Sequence, residues 1–177
     1  MSHTLFLVEG PDDDKFVKDV LEPRMDEHAE VFKYSEKAND LVDDTVRLLA
    51  GTYEGHYYVA DLDRGTDERG DCQSCNQRER HERDRYDLDP TFEILVAVDA
   101  VEAWYLAGVP DWMGNDRDVY PPGDTAHVDK DEFTAVFEES SYRSQEQLKI
   151  DIVRDYDYDL ARERNDSFRY VADAVGL

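Results

Sequence analysis

Short apolar runs of strand type alternate along this chain with segments of helical spacing, and several of the runs stop abruptly at carboxylates. Leu5–Val8 is the first run, followed by Glu9, Gly10 and Pro11, a sharp turn with Pro suited to a first helical position. Asp12 to about Met25 then predicts a helix, with Phe16, Val17, Val20 and Leu21 on one face. Glu30–Tyr34 predicts a second strand, and 39–50 a second amphipathic helix through Leu41, Val42, Val46 and Leu49, stopped by Gly51. His56–Leu62 predicts a third strand. Phe92–Val98, apolar almost throughout, predicts a fourth of the kind covered on both faces. Val101–Ala107 begins another helix, 109–127 reads as a long loop rich in Pro, Gly and Asp, and helical segments follow at 129–140 and 145–175.

Strands alternating with helices imply βαβ units. The expected fold is α/β: a Rossmann-like, mostly parallel central sheet of about four strands flanked by helices, with a helical C-terminal part. The 177 residues suit one domain, with an α/β core over 1–108 and a loop and helical extension over 109–177.

Charge changes the picture of the surface more than of the fold. The formal net charge is −24, from 44 acidic and 20 basic residues, with Asp exceeding Glu 28 to 16 and Arg exceeding Lys 14 to 6. The acids are spread along the chain. At 40% hydrophobic residues the chain still has a core to bury. This composition points to a cytoplasmic protein of an extreme halophile, because self-repulsion becomes tolerable when salt screens it. At about 1 M salt the Debye length is only about 3 Å, so the charge does not exclude a nucleic-acid partner. No run approaches the roughly 18 apolar residues of a membrane span. The N-terminus carries no basic region of signal-peptide type.

The chemistry is expected at the carboxyl ends of the strands, where open parallel sheets collect ligands. Glu9 follows the first strand, Asp61 and Asp63 end the third, and Asp99 with Glu102 follows the fourth. Residues two apart on a strand share a side, so Asp61 and Asp63 form a pair. Hard oxygen donors of this kind suit Mg²⁺ or Mn²⁺. Structural readings stand beside this one. Asp99-x-x-Glu102 has the spacing of a capping box, and Asp12 and Asp13 sit where a helix dipole favours acids.

Glu9-Gly10-x-x-Asp13 after one hydrophobic strand, with Asp61-x-Asp63 after another, resembles the Toprim pattern of topoisomerases, primases, recombination proteins and the nucleases of the OLD group. The segment Val96–Leu106, with Glu102-Ala-Trp104, is similar to small Toprim-like proteins associated with phage defence (the RloB-like group), and so is the tail from Tyr156 to Phe168. The resemblance implies metal-dependent phosphodiester chemistry on DNA or RNA. By it, Glu9, Asp61 and Asp63 are catalytic, and Glu9, Asp13, Asp61, Asp63 and Glu102 hold the metal. It equally allows a non-catalytic module that binds metal or nucleic acid for a partner protein. A haloacid-type phosphatase lacks its Asp-x-Asp at the first strand.

Between Arg64 and Arg85 lie six of the twenty basic residues, balanced by six acids. Arg64, Arg78 and Arg85 are candidate contacts for a phosphate backbone. The alternative is a helix laced with i,i+4 pairs such as Glu79–Arg83. Cys72-x-x-Cys75 with His81 offers three zinc ligands and no fourth nearby. Asp155-x-Asp157-x-Asp159 lacks the glycine a calcium loop requires, and Trp104 and Trp112 read as core or anchoring aromatics.

Overall fold

The computed structural model describes residues 3–34, 44–45, 48, 53, 55–62, 75–88 and 90–177. The chain divides into two compact units, Met1–Val96 and Ala97–Leu177. The helix expected at 39–50 falls almost wholly outside the described residues.

In the first unit, strands β1 (His3–Val8), β2 (His28–Lys33), β3 (Gly55–Asp61) and β4 (Glu93–Ala97) form a four-stranded parallel sheet in the order β2-β1-β3-β4. β1 pairs with β2 from His3 opposite His28 to Val8 opposite Lys33, and with β3 from Thr4 opposite Gly55 to Leu7 opposite Tyr58. The sequence of each strand matches its place. Leu5, Phe6, Leu7 and Val8 are all buried, as an inner strand covered on both faces requires. β2, at the edge, alternates exposed His28 and Glu30 with buried Ala29.

The β1–β2 crossover begins with helix α1 (Pro11–Phe16), with Pro at its start and Asp12, Asp13 and Asp14 in its first turn. The helix then widens: Glu22 N–H donates to Val17 O, a π-type bond, through Val17–Leu21 and into a 3₁₀ turn at Glu22–Arg24. Even so, Phe16, Val17, Val20 and Leu21 all reach the core. Helix α2 (Cys75–Tyr86) completes the described part of this unit.

The second unit is helical: α3 (Val101–Ala107), α4 (Asp111–Arg117), α5 (Lys130–Glu139), α6 (Gln145–Arg154), α7 (Tyr158–Arg164) and α8 (Asp166–Ala174). All seven residues of α3 are buried, which makes it the centre of this unit. Trp104 Nε1 donates to Ser167 Oγ at 2.8 Å, and the Tyr156 hydroxyl donates to Trp104 O at 2.7 Å. Two expectations are corrected. The stretch 109–127 is not all loop, since α4 lies within it. The helical segment at 145–175 is three helices, because Asp157 and Asn165 turn their side chains onto the backbone N–H groups of Leu160 and Phe168 and start new helices. Asp157 is therefore a cap, in keeping with the rejection of a calcium loop. Among the described residues no helix is long and apolar enough to cross a membrane.

Candidate functional site

The order β2-β1-β3-β4 sends the chain from β1 outward to β2, then back across β1 to β3. The carboxyl ends of β1 and β3 thus flank a topological switch point, the place where open α/β sheets bind ligands. Glu9 is the first residue past β1, and Asp61 is the last of β3. With Leu7 opposite Tyr58, the two acids lie at the same edge of neighbouring strands. Asp61 is 6% exposed at the end of the buried run Tyr58-Val59-Ala60. Pleat parity assigns Asp61 to the face of Tyr57 and Val59, where Phe6 stacks on Tyr57 with ring centroids 5.1 Å apart. Asp63 and Arg64 lie outside the described residues.

Asp13 is buried in the first turn of α1, and its Oδ2 accepts from Gly10 N–H at 2.8 Å. That bond fixes the turn carrying Glu9 and gives Asp13 a capping role whether or not it meets a cation. Glu102 departs further from its expected role. It is 5% exposed, and its Oε1 accepts from Lys149 Nζ at 3.0 Å. Lys149 in turn lies over the rings of Phe133 and Tyr105, at 5.0 and 5.3 Å from their centroids. An ammonium ion thus meets the Glu102 charge through one of its two oxygens. Nor is Asp99 the cap of α3. Ala100 takes that position, and Asp99 adopts a left-handed φ of 66° with Oδ2 3.7 Å from His127 Nδ1.

The arginines separate in the same way. Arg78 is 2% exposed, with Nη2 2.9 Å from Glu82 Oε1, and Glu82 is fully buried. A guanidinium so enclosed serves as counter-ion to Glu82. Arg85 is exposed, its guanidinium 4.9 Å from the centre of the Tyr86 ring. Glu79 and Arg83 form the expected i,i+4 pair at 3.3 Å. Cys75 opens α2 and His81 lies along it, while Cys72 is outside the described residues.

Sequence reading missed the tyrosines behind this edge. Tyr34 follows β2, and its ring stacks on Tyr58 of β3 at 4.8 Å and 18°. Tyr58 donates to Glu82 Oε2 at 2.8 Å, and the Tyr86 ring lies against both phenols. Burial, and after it the Glu9 charge, holds the Tyr34 hydroxyl well above the usual phenol range. Burial likewise raises Tyr58, with Tyr34 and Glu82 adding to it. The inward stripe of α2 is Arg78, Glu82 and Tyr86, an i, i+4, i+8 row that no hydrophobic pattern reveals.

Glu9 and Asp61 supply oxygen donors of the hard type that Mg²⁺ or Mn²⁺ takes. Among the described residues no group of three or more His, Cys, Asp or Glu could hold a metal ion. No protein-family model, no curated protein and no solved structure matches this chain, so the chemistry of the edge rests on its own residues.

Proposed function

We propose that this chain carries out metal-dependent phosphodiester chemistry on DNA or RNA at the carboxyl edge of β1 and β3, in the manner of a Toprim-type nuclease. The observation that carries the reading is the meeting of two acid-terminated parallel strands at the switch point: Glu9 after β1, and buried Asp61 closing β3. Carboxylate oxygens at the ends of neighbouring strands are the donor type that a divalent cation takes.

Glu9, Asp61 and Asp63 would hold the divalent cation. When bound, such an ion stabilises charge on a phosphoryl group and lowers the pKa of water. Glu9 would move a proton or complete the ligand set, and Asp13 would keep its turn in place. The acidic composition suits work at high salt, where screening permits a polyanion to approach. The pairing of Glu102 with Lys149 thins the ligand set, and favours as second reading a binding module for a partner protein.

The deciding experiment is a cleavage assay on single- and double-stranded DNA and RNA, in molar KCl with Mg²⁺ or Mn²⁺, using wild-type protein and Asp61→Asn. Metal-dependent cleavage lost in Asp61→Asn supports the enzyme. Folded wild-type protein that binds these substrates and cuts none of them gives the binding module instead.

A further inference from the structure

Tyr34 touches both strands whose ends carry the candidate acids. Its backbone N–H donates to Val8 O at 2.9 Å, one residue before Glu9. Its ring stacks on Tyr58 of β3, three residues before Asp61. Its hydroxyl reaches Val59 O at 3.5 Å, a long contact, while also lying within hydrogen-bonding reach of Tyr58. From its place beyond edge strand β2, one residue thus spans the end of β1 and grips β3. Tyr58 is held in turn by Glu82, and Glu82 by Arg78, all of them buried. A grip built on a stacked pair and a buried ion pair is rigid, because each ring has neighbours on its other faces.

We infer that Tyr34 is a positioning residue that fixes the separation of Glu9 and Asp61. The inference rests on the reading of that edge as the metal-holding site. Groups that orient ligands from behind commonly change metal affinity by about 10- to 100-fold when removed; Tyr34 acts a step further back, on Val8 and Val59, which precede the two acids.

The test is Mn²⁺ binding by calorimetry, with amide hydrogen exchange of the metal-free protein. Tyr34→Phe keeps the stack and loses the hydroxyl, whereas Tyr34→Leu loses both. Tyr86→Phe removes a phenol from the same cluster while leaving the contact to Val59 O in place, and serves as control. Mn²⁺ affinity is expected to fall several-fold in Tyr34→Phe and about tenfold in Tyr34→Leu, with Tyr86→Phe unchanged. Unaltered affinity in Tyr34→Phe, or an equal loss in Tyr86→Phe, overturns the inference while leaving the proposed function standing. Exchange separates the two in the other direction. Tyr34→Phe is expected to speed exchange at the amide of Asp61, and Tyr34→Leu at those of Gly10 and Asp61, with neither changing Ala29 of β2. Uniform exchange overturns the inference whatever metal the chain binds. If wild-type protein binds no Mn²⁺, the proposed function fails, and the exchange result alone decides the role of Tyr34.

Discussion

Lys149 and Glu102 form a buried ion pair, Nζ to Oε1 3.0 Å, between α6 and α3, with the ammonium also lying over two aromatic rings. The other carboxylate oxygen of Glu102 is buried without a hydrogen-bond partner among the described residues. A pair so enclosed gains little over an apolar replacement, yet breaking it strands a charge. Lys149→Met should therefore cost about 3–5 kcal/mol. The double variant Glu102→Gln, Lys149→Met should recover a large part of that loss. Denaturant unfolding of the two singles and the double measures the coupling, and additive losses would show that the two side chains do not act as a pair.

At the sheet edge the expected outcome separates binding from turnover. Glu9→Gln should reduce metal-dependent cleavage by about 10²–10⁴-fold, as loss of a general acid or base does, and leave oligonucleotide affinity nearly unchanged. Affinity is measured by fluorescence anisotropy and turnover by gel, both in molar KCl. Parallel losses in the two would place Glu9 in substrate binding.

Gly108 ends α3 against the ring of Tyr156, and a Cβ there would lie 2.2 Å from Tyr156 Cε2. The ring cannot step aside, since its hydroxyl is tied to Trp104 O and the side chain is buried. Gly108→Ala should destabilise the protein by about 1–3 kcal/mol, the usual range for overpacking. Its φ of −90° suits any residue, so the cost is purely steric. A thermal melt equal to wild type would show that the contact yields easily.

Alkali should unfold the chain through its buried phenols. Burial raises Tyr34, Tyr58 and Tyr156 above the usual phenol pKa, and pushes Tyr142 up to about 12 with help from Asp151. Below about pH 10 these groups are neutral in both states, and their contribution is fully present. As pH rises further the unfolded chain ionises while the folded one does not, so stability falls by up to about 1.4 kcal/mol per pH unit for each buried phenol. Tyrosinate absorbance followed together with circular dichroism should show these phenols ionising only as the fold is lost. Complete ionisation in a folded chain would contradict their burial.

Local order was legible from the chain alone. The apolar runs at Leu5–Val8, His56–Leu62 and Phe92–Val98 are β1, β3 and β4 to within a residue or two, because the pattern is dense, although the last, read as a central strand, lies at an edge of the sheet. The Gly10-Pro11 turn and α3 were equally plain, being set by neighbours a few residues away. The alternation of these elements also determined the α/β class and the parallel sheet. Partners distant in sequence were decided only by tertiary structure. Glu102 and Lys149 lie 47 residues apart, so nothing local told that Glu102 faces an ammonium ion. The burial of Arg78, Glu82 and Tyr86 was not legible either, since polar residues carry no outward mark of burial when their charges are matched inside. Strand order was likewise hidden: alternation says that strands lie parallel, while only the packed sheet decides that β1 and β3 are neighbours and that Glu9 and Asp61 share an edge.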